Sequence, residues 1–474
     1  MLFLQLVSIK MSTILIKNAL AVATMNDSQE EFSGGHILIE NGVIKSLGPD
    51  TPDILADKTI DATGMVITPG FINTHHHLYQ TLTRNIPLMQ DQPLFSWLSN
   101  HYEVWRELTT EAVAVSTKTG LLELMKTGVT TSSDHLYLFP SKASPELIDT
   151  EIEAAKELGI RFQPTRGSMS LGKSKGGLPP DDVVQTEDAI QKDTERLLAK
   201  YHEDSEGAMT RISLAPCSPF SVTTKLMKQT AAFARGNNLQ IHTHLAETLD
   251  EETFCLESFG LRPVGLMQEL NWLTSNSWYA HSVHLNDDEI RLMGENQVGI
   301  SHCPSSNMRL GSGIARIHEL LEAGVNVSLG VDGSASNDSG DMLLEMRNAM
   351  LISRLREQEL WLTARDVLRM ATRGGAAALG RNDIGELTVG KQADLALFSM
   401  DNIGQAGSQS DPLAALVFTT RQRPVDYLII DGKIVIKRGT SETDESTLVS
   451  KHNKLAAEML HRAEQRVKID FSSH

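Results

Sequence analysis

Apolar and polar positions in the middle of the chain alternate between short β-rich runs and longer segments of helical periodicity. The β-rich runs are VITPGFINTHHH, GVTTSSDHL, IRFQPTRGS, RISLAPCSP, LQIHTHLAE, SWYAHSVHL, QVGISHCPSSN and VNVSLGVDGS. Between them lie helical patterns such as TTEAVAVSTKTGLLELMKTG and SPELIDTEIEAAKELG, several of which end in glycine as a helix C-cap does. Eight strands, each followed by a helix or a long loop, predict an α/β fold of the (β/α)8 TIM-barrel type. Periodicity alone leaves an open sheet as the alternative.

Both ends of the chain have a different pattern, which predicts short β-strands joined by hairpin turns. The first end contains ILIKNALAVATM, GHILIENGVIKSLGPD and KTIDATGMVI, with a hairpin signal at Glu40-Asn41-Gly42. The other end repeats the pattern in GELTVGKQADLALFSM and PVDYLIIDGKIVIKRG. Two separate domains are one interpretation, but a single small β-sandwich formed by both termini is more economical.

The chain is expected to divide into domains at the points where the predicted secondary-structure pattern changes. A final helix is predicted from about Ser446 to Val467, where KLAAEMLHRAEQRV has apolar residues at helical spacing. Met11 opens a cleaner start, MSTILIKNALAVATM, which leaves open whether residues 1–10 belong to the native protein. The expected parts are the first sandwich segment at 1–68, the barrel at 69–384, the second sandwich segment at 385–440 and a C-terminal helical segment at 441–474.

Composition and charge restrict the partners of the protein. With 41% hydrophobic and 22% charged residues in 474, the chain resembles an ordinary globular enzyme. Its 60 acidic residues outnumber 43 basic ones, so most of the surface repels a phosphate polymer and nucleic acid is excluded as a partner. No stretch approaches the ~20 apolar residues of a membrane span. A free small molecule is therefore the expected ligand, and a homo-oligomer stays open.

Cysteine usage indicates the compartment. Cys217, Cys255 and Cys303 are few, odd in number and without CxxC spacing, which is typical of a reducing environment and argues against a disulfide framework or a thiolate zinc site. The apolar opening MLFLQLVSIK lacks the basic region and small-residue cleavage site of a signal peptide. We therefore expect a cytoplasmic location.

Candidate metal ligands stand at the ends of several of the expected barrel strands. In a TIM barrel these C-terminal ends meet at one mouth. Alternate residues of a strand share a face, so His75 and His77 point together while His76 points away. The ends of strands five, six and eight add His244, His281 and Asp332. Three of these four imidazoles and the carboxylate at one mouth predict a site for a borderline divalent metal such as zinc, with a position left for water.

Other histidines in the same runs carry the more ordinary interpretation. An isolated histidine in a β-rich run is more often a hydrogen-bonded structural residue than a ligand. His76 and His242 are therefore expected to be structural, and His284 stays open. Neither the HxE and PCxxC pair of nucleobase deaminases nor the HExxH motif of zinc peptidases occurs in the chain.

Several motifs resemble those of a known superfamily. PGFINTHHH, HLAE, AHSVHL, HCPSSN and GVDGSASND resemble the amidohydrolase superfamily, in its branch of cytosine-, guanine- and adenosine-type deaminases. The likeness runs through nearly the whole chain, including the divided β-sandwich. Within the branch, SSDHLYLFP, RGSMSLGKSKGGLPPD, LAPCSPFSVT and HLAETLDEE resemble 8-oxoguanine deaminases. The resemblance implies an aminohydrolase that uses water to remove ammonia from a free aminated heterocycle, with 8-oxoguanine as the first expectation.

The resemblance also implies a role for individual residues. The metal ligands would be His75, His77, His244 and Asp332. Glu247 would be the proton shuttle, His281 would lie beside the attacking water, and Asp332 would also accept a proton from it. Two-metal relatives carry a lysine or an acid at the end of strand four, where this chain has Ala215-Pro216-Cys217-Ser218. One divalent metal is therefore expected, with zinc first and iron as the alternative.

Five further residues are expected to contact the substrate. Gln80 lies three positions after His77, where guanine deaminases place a base-reading glutamine, and an amide offers both a donor and an acceptor. Trp97 could close over a planar ring, or it could be only a core anchor. Arg166 could meet a carbonyl oxygen, or it could pair with a barrel carboxylate. Tyr137 and Cys217 are expected at the same mouth.

Rival functions share the scaffold or dispense with catalysis. Deamination of isoxanthopterin or guanine, and removal of an alkylamino group from a hydroxy-s-triazine as in hydroxyatrazine-type enzymes, differ only in pocket residues. A catalytically silent barrel that serves as a binding subunit is the alternative from another class, and the intact set of ligands argues against it. Glu251 and Glu252, just after the proposed shuttle, are expected to be solvated helix residues.

Overall fold

Two eight-stranded sheets organise the chain, in a computed structural model that describes residues 12–50, 52–356, 360–419 and 424–472. The start at residues 1–10, left open by the sequence, lies outside these ranges. The strands are β1 Thr13–Ala23, β2 Glu31–Glu40, β3 Val43–Gly48, β4 Lys58–Asp61, β5 Met65–Pro69, β6 Phe71–Asn73, β7 Val129–Leu136, β8 Arg161–Ser168, β9 Ser213–Pro216, β10 Ile241–Leu245, β11 Ser277–His281, β12 Gly299–His302, β13 Asn326–Leu329, β14 Leu395–Ser399, β15 Tyr427–Ile430 and β16 Lys433–Lys437.

Helices lie between the barrel strands and at the C-terminal end. They are α1 Leu94–Trp105, α2 Thr110–Lys126, α3 Leu147–Leu158, α4 Glu187–Tyr201, α5 Thr224–Asn237, α6 Leu249–Phe259, α7 Pro263–Glu269, α8 Asp287–Glu295, α9 Pro304–Arg309, α10 Ile317–Glu322, α11 Met342–Arg356, α12 Ala364–Arg369, α13 Gly375–Ala378, α14 Pro412–Phe418 and α15 Glu445–Val467. Within the described ranges, every helix is too short or too polar to cross a bilayer.

The central sheet is the expected parallel barrel. Strands β6 to β13 pair in chain order and in parallel, with helices between them. The barrel closes between its first and last strands, because the backbone N–H of Thr74 donates to Leu329 O at 3.1 Å and that of Asp332 donates to His75 O at 3.1 Å. The TIM-barrel prediction is confirmed, and the open sheet is ruled out.

The second sheet is mixed and takes strands from both ends of the chain. Its order is β16-β15-β14-β5-β1-β2-β3, with β4 beside β1. The sheet folds back on itself, since Ile44 N donates to Lys391 O at 2.9 Å and Ala393 N donates to Gly42 O at 2.7 Å. Its folded halves enclose one apolar core that includes Ile14, Ile16, Ile37, Ile39, Ile67, Leu395, Leu397 and Ile429. The small domain built by both termini is thus confirmed.

Local sequence signals explain where several elements begin and turn. Thr109 and Thr223 precede α2 and α5, and each hydroxyl accepts a first-turn backbone N–H, as an N-cap does. The hairpin between β2 and β3 turns at Asn41 and Gly42, whose φ angles are +52° and +85°. Asparagine and glycine tolerate this left-handed region best, so the turn falls where the sequence predicted it.

One β-rich run divides between the two sheets. VITPGFINTHHH was expected to be a single barrel strand, but Met65–Pro69 pairs with β1 and β14 in the mixed sheet. Phe71–Asn73 alone forms the first barrel strand and pairs with β7. The chain therefore passes from one sheet to the other at residue 70, beside the expected domain boundary between residues 68 and 69.

The C-terminal helix α15 packs against α1, α2 and the segment Leu78–Thr83 that precedes them. His452, Leu455, Met459 and Ala463 are buried at helical spacing along one face. Arg466 Nε donates to Glu107 Oε1 at 2.8 Å, and the ring of His452 contacts Thr81 O at 3.0 Å. The helix expected from about Ser446 is observed from Glu445, and it supports α1 from behind.

A buried ion pair joins the barrel to the mixed sheet. Arg161, at the start of β8, donates from Nε to Asp394 Oδ2 at 2.6 Å, and both side chains are almost completely buried. Replacing Asp394 with Ala should lower the free energy of unfolding by about 3–5 kcal/mol, because it leaves a buried guanidinium with only the partly exposed carboxylate of Asp431, 3.7 Å away. Chemical denaturation of the variant measures this loss.

The matched control for this pair is exposed. Asp288 pairs with Arg291 at 2.9 Å on the surface of α8, where the side chains are 83% and 69% exposed. Asp288→Ala should change the free energy of unfolding by no more than ~1 kcal/mol, since water screens such a pair. Equal effects of the two substitutions would contradict the role given to Asp394.

Candidate active site

Four side chains converge at the C-terminal mouth of the barrel. His75 and His77 follow β6, His244 is in β10, and Asp332 follows β13. Asp332 Oδ1 lies 3.3 Å from Nε2 of both His75 and His77, and Nε2 of His77 lies 3.2 Å from Nε2 of His244. Ligand atoms about 2.0–2.1 Å from a tetrahedral zinc ion stand about 3.3 Å apart. The spacing of these donor atoms therefore fits one small divalent metal.

Hydrogen bonds at the far side of each ring turn the correct nitrogen toward the cluster. Nδ1 of His77 contacts His135 O at 2.8 Å, and Nδ1 of His244 contacts Cys217 O at 2.7 Å. Carbonyl oxygens only accept, so both Nδ1 atoms carry the proton and both Nε2 atoms face the cluster with a lone pair. Burial lowers the pKa of His244 to about 3, which keeps its ring neutral.

His75 obtains the same tautomer through a second histidine. His242 Nδ1 donates to Trp278 O at 2.8 Å, which leaves its Nε2 as an acceptor for His75 Nδ1 at 2.8 Å. The buried Nε2 of His75 then makes no well-aligned hydrogen bond among the described residues. Lone pairs of three rings and a carboxylate oxygen facing one another are repulsive without a cation, so the donor set fits a metal.

Asp332 is held in its ionised form. Its Oδ2 accepts hydrogen bonds from Ser306 Oγ at 2.6 Å and Ser336 Oγ at 2.9 Å. Two hydroxyl groups that donate to one carboxylate oxygen stabilise the ionised form of the carboxyl. The carboxylate is therefore available as a ligand.

The proposed shuttle and the strand-six histidine lie beside this cluster. Glu247 Oε2 is 3.5 Å from His281 Nε2, and Nδ1 of His281 contacts Asn307 Oδ1 at 2.9 Å. His281 Nε2 is in turn 4.0 Å from Asp332 Oδ2. Burial raises the pKa of Glu247 to about 8, so this carboxyl can carry a proton near neutral pH. The pair is arranged for proton transfer next to the metal donors.

A cleft of about 400 Å³ opens over these groups. Gln80, Trp97, Tyr137 and Cys217, four of the five expected substrate contacts, line it. The buried Oε1 of Gln80 and the buried Nε1 of Trp97 make no hydrogen bond among the described residues. The apolar part of its wall is formed by Leu94, Leu98, Tyr102, Phe220 and Leu310. A narrow cleft with apolar walls and a few free polar atoms suits a planar heterocycle.

Gly333, next to Asp332, makes room for Gln80. A Cβ atom at this position would lie 1.9 Å from Gln80 Oε1. No other residue type leaves this space, so the Gly333 backbone and the amide of Gln80 share one corner of the cleft.

The structure does not bring Arg166 to the cleft lining. Its Nε lies 2.6 Å from Asp193 Oδ2, and its Nη2 donates to Gln185 Oε1 at 2.8 Å. Its guanidinium carbon lies 4.3 Å from the centre of the Phe139 ring. Arg166 is therefore engaged by a carboxylate of helix α4, in agreement with the second of the two interpretations of this residue.

The remaining histidines have separate positions. Nε2 of His284 contacts Ser312 O at 2.8 Å, and His284 does not line the cleft. His76 is buried but is not among the clustered donors. His135, to which the sequence assigned no role, places a ring nitrogen within 4.8 Å of the donor atoms of His75, His77 and His244, while its Nε2 contacts Ala215 O at 3.0 Å.

Several site residues were missed. Ser306 and Asn307 lie in HCPSSN, and Ser336 lies in GVDGSASND, so the motifs contained these residues without indicating which side chain of the site each one contacts. The expectation of a solvated Glu251 is wrong: its side chain is fully buried, and it accepts backbone hydrogen bonds. Glu252 is only half-buried and pairs with Arg262.

The fold and this site belong to a known family. Residues 66–435 match the Amidohydrolase family, and the chain belongs to it. The chain is 46% identical to the 8-oxoguanine deaminase of Pseudomonas aeruginosa, over 95% of this chain and all 100% of that protein. It is 34% identical to an isoxanthopterin deaminase from an unknown prokaryotic organism, over 88% of this chain and 93% of that protein.

A solved structure shows the same architecture. The atrazine chlorohydrolase TrzN from Arthrobacter aurescens TC1, complexed with zinc, matches this chain with a TM-score of 0.89 and 33% identity, over 94% of this chain and 100% of that one. The family resemblance predicted from the motifs is confirmed. The chain is a metal-dependent hydrolase that acts on carbon–nitrogen bonds.

The donor geometry leads to a prediction about metal content. The purified protein should contain about one divalent ion per chain, because one set of four donors is arranged around one point. His75→Ala should lose the ion, whereas His318→Ala, on α10 and outside the cleft lining, should keep it. Elemental analysis of the three proteins decides the matter, and two tightly held ions in the wild type would contradict the single site.

Proposed function

We propose that the protein is a hydrolytic deaminase of a free aminated purine or related fused heterocycle, with 8-oxoguanine as the first candidate. The observation that carries the proposal is the pair of Glu247 and His281, 3.5 Å apart, at the metal end of a narrow cleft. The relative in Pseudomonas aeruginosa, 46% identical over 95% of the chain, supports the same substrate.

The metal proposed for the site is a single zinc ion, with iron as the alternative. His75, His77, His244 and Asp332 would hold it, since their donor atoms stand 3.2–3.3 Å apart and their rings present lone pairs. When bound, such an ion acts as a Lewis acid that makes water a nucleophile at neutral pH. The solved relative complexed with zinc supports the choice of metal.

The protein's own residues then supply the proton transfers. Glu247, protonated, gives its proton to a ring nitrogen of the heterocycle, which makes the adjacent amino-bearing carbon electrophilic. His281 orients the attacking water through its Nε2, and Asp332 accepts a proton from that water. The new carbon–oxygen bond forms as this proton leaves.

Release of ammonia completes the cycle. Glu247, now a carboxylate, takes the proton of the new hydroxyl group and donates it to the amino group, so that the carbon–nitrogen bond breaks and ammonia departs. The proton held by Asp332 then passes to Glu247 by way of His281, which lies between them, and both carboxyl groups are restored. The ring carbon is left as a carbonyl. One carboxyl that alternates between its two forms is enough for both transfers, and its pKa of about 8 lets both forms exist near neutral pH.

Recognition of the ring is assigned to two polar atoms of the cleft that have no hydrogen-bond partner in the described part of the chain. Gln80 Oε1 accepts from a ring or lactam N–H, and its amide nitrogen donates to a neighbouring acceptor. Trp97 Nε1 donates to a carbonyl or ring nitrogen at the other edge. Tyr137 and Cys217 flank the ring. A fused ring with lactam groups at both edges, such as 8-oxoguanine, satisfies these atoms.

A cytoplasmic location is part of the proposal. Cys217, Cys255 and Cys303 are all free and buried, which is typical of proteins that fold in a reducing environment. The proposed partners are the heterocyclic amine and water, without nucleic acid or membrane.

A panel of substrates tests the reaction. Ammonia release should be fastest with 8-oxoguanine, compared with guanine, isoxanthopterin and an alkylamino-hydroxy-s-triazine at equal concentration. The measured quantity is kcat/KM for each compound, with metal content checked in the same preparation. A higher value for another member would reassign the substrate, and a metal-loaded protein that releases no amine from any of them would favour the silent binding subunit.

The shuttle is tested by removing one proton site. Glu247→Gln keeps the size of the side chain and a hydrogen-bonding oxygen but cannot transfer a proton, so kcat should fall by ~10²–10⁴-fold while the metal stays bound. Glu257→Gln, exposed on helix α6 just after the loop of Glu247, is the matched control and should be near normal. An active Glu247→Gln protein would disprove the mechanism even if the deaminase activity itself were found.

A further inference from the structure

A buried carboxylate outside the catalytic set holds the loop that carries Glu247. Glu251, in the first turn of α6, accepts the backbone N–H of Ala246 at Oε1, 2.8 Å away, and that of Glu247 at Oε2, 2.9 Å away. The Glu251 side chain has no exposed surface. Each of its oxygens is therefore engaged by one of two consecutive backbone donors.

The same loop is held from its other side. The carbonyl of Ala246 accepts the backbone N–H groups of Val283 and His284, both at 2.9 Å. These donors belong to the loop after β11, just past His281. The peptide groups around Ala246 thus tie the loop of Glu247 to the loop of His281, with Glu251 on the opposite side.

The tied loops have strained backbones. Ala246, His281 and Ser282 have φ angles of +52°, +72° and +51°, which is the left-handed region that non-glycine residues seldom occupy. Such conformations are energetically unfavourable and persist only where the surroundings enforce them. The carboxylate of Glu251 is one of the groups that enforce the conformation at Ala246.

Glu251 does not cap the N-terminus of its own helix, α6. A capping-box glutamate at this position reaches back to the backbone N–H of the N-cap residue, which is Thr248 in α6. Glu251 instead accepts from residues 246 and 247, which precede the N-cap. Its hydrogen bonds therefore fix the loop and not the helix end.

We propose that Glu251 is a positioning residue that directs the carboxyl of Glu247 toward His281 and the reacting end of the cleft. The inference rests on the proposed role of Glu247 as proton shuttle. A carboxylate suits this task because both of its oxygens only accept. A glutamine in its place turns an NH₂ group toward one of the two N–H donors, so one hydrogen bond is lost and the peptide can rotate.

Kinetics of single and double variants test the proposal. Glu251→Gln should lower kcat on the order of 10- to 100-fold, as a misplaced catalytic group does, with KM changed by no more than roughly 3-fold and metal content unchanged. In a Glu247→Gln background the same substitution should change the residual kcat by less than roughly 2-fold, because a residue that acts through Glu247 has nothing left to position. An equal loss in both backgrounds would overturn the proposal.

A second measurement does not depend on any activity. Hydrogen exchange of the metal-loaded protein should be slow at the amides of Ala246 and Glu247, and Glu251→Gln should accelerate it at least ~10-fold there while Glu257→Gln leaves it unchanged. Unchanged exchange at these two amides in Glu251→Gln would show that the Glu251 carboxylate does not hold the loop of Glu247. If Glu251→Gln accelerates exchange at these amides but the protein deaminates no heterocycle, the proposed function fails, whereas the conclusion that Glu251 holds the loop of Glu247 stands.

A shorter acid covers the case in which Glu251→Gln does not fold. Glu251→Asp keeps the charge but lacks one methylene, so it cannot reach both N–H donors. It should show the same selective loss of kcat and the same faster exchange at Ala246 and Glu247. Full activity of Glu251→Asp would show that charge alone matters and would overturn the positioning role.

Discussion

Closure of the barrel between its first and last strands is the constraint on which the site depends. The backbone hydrogen bond from Asp332 N to His75 O joins the two ends of the barrel, and the side chains of the same two residues place two of the proposed metal-donor atoms 3.3 Å apart. The donor set therefore exists only when the barrel is closed. Thr74, between β6 and His75, strengthens this seam by contacting Ser301, Ser328 and Leu329 from the two final strands.

Around this seam, buried polar groups are arranged so that each reacting side chain has one orientation. His242 sets the tautomer of His75, Asn307 orients His281, and Glu251 holds the loop of Glu247. Glu345 acts in a similar way below the loops after β12 and β13, where it accepts hydrogen bonds from Ser305 and Asn337. Burying such networks carries a desolvation penalty, but their hydrogen bonds fix the orientation of the side chains proposed to transfer protons.

The cleft separates chemistry from recognition. The proposed metal donors and proton-transfer groups come from the ends of barrel strands and the loops just after them, whereas most of the apolar wall comes from α1, which is supported from behind by α15. Relatives with different substrates fit this division, since an isoxanthopterin deaminase and an atrazine chlorohydrolase share the fold at 33–34% identity. Loops and added helices can change the pocket without disturbing the metal donors, as is usual for TIM barrels.

Much of the fold and the centre of the site were predictable, because they follow from short-range patterns. Alternation along a strand puts His75 and His77 on one face, and strand ends in a barrel share one mouth. The sequence therefore predicted both the candidate metal donors and the family resemblance. The contacts of Arg166 and Glu251 were not predicted, although both residues lie in the motifs RGSMSLGKSKGGLPPD and HLAETLDEE that carry the resemblance. A long polar side chain can meet any of several partners within its reach, and the partner depends on loop conformation and on segments distant in the chain. Asp193 for Arg166, and the amides of Ala246 and Glu247 for Glu251, were therefore decided only by tertiary structure.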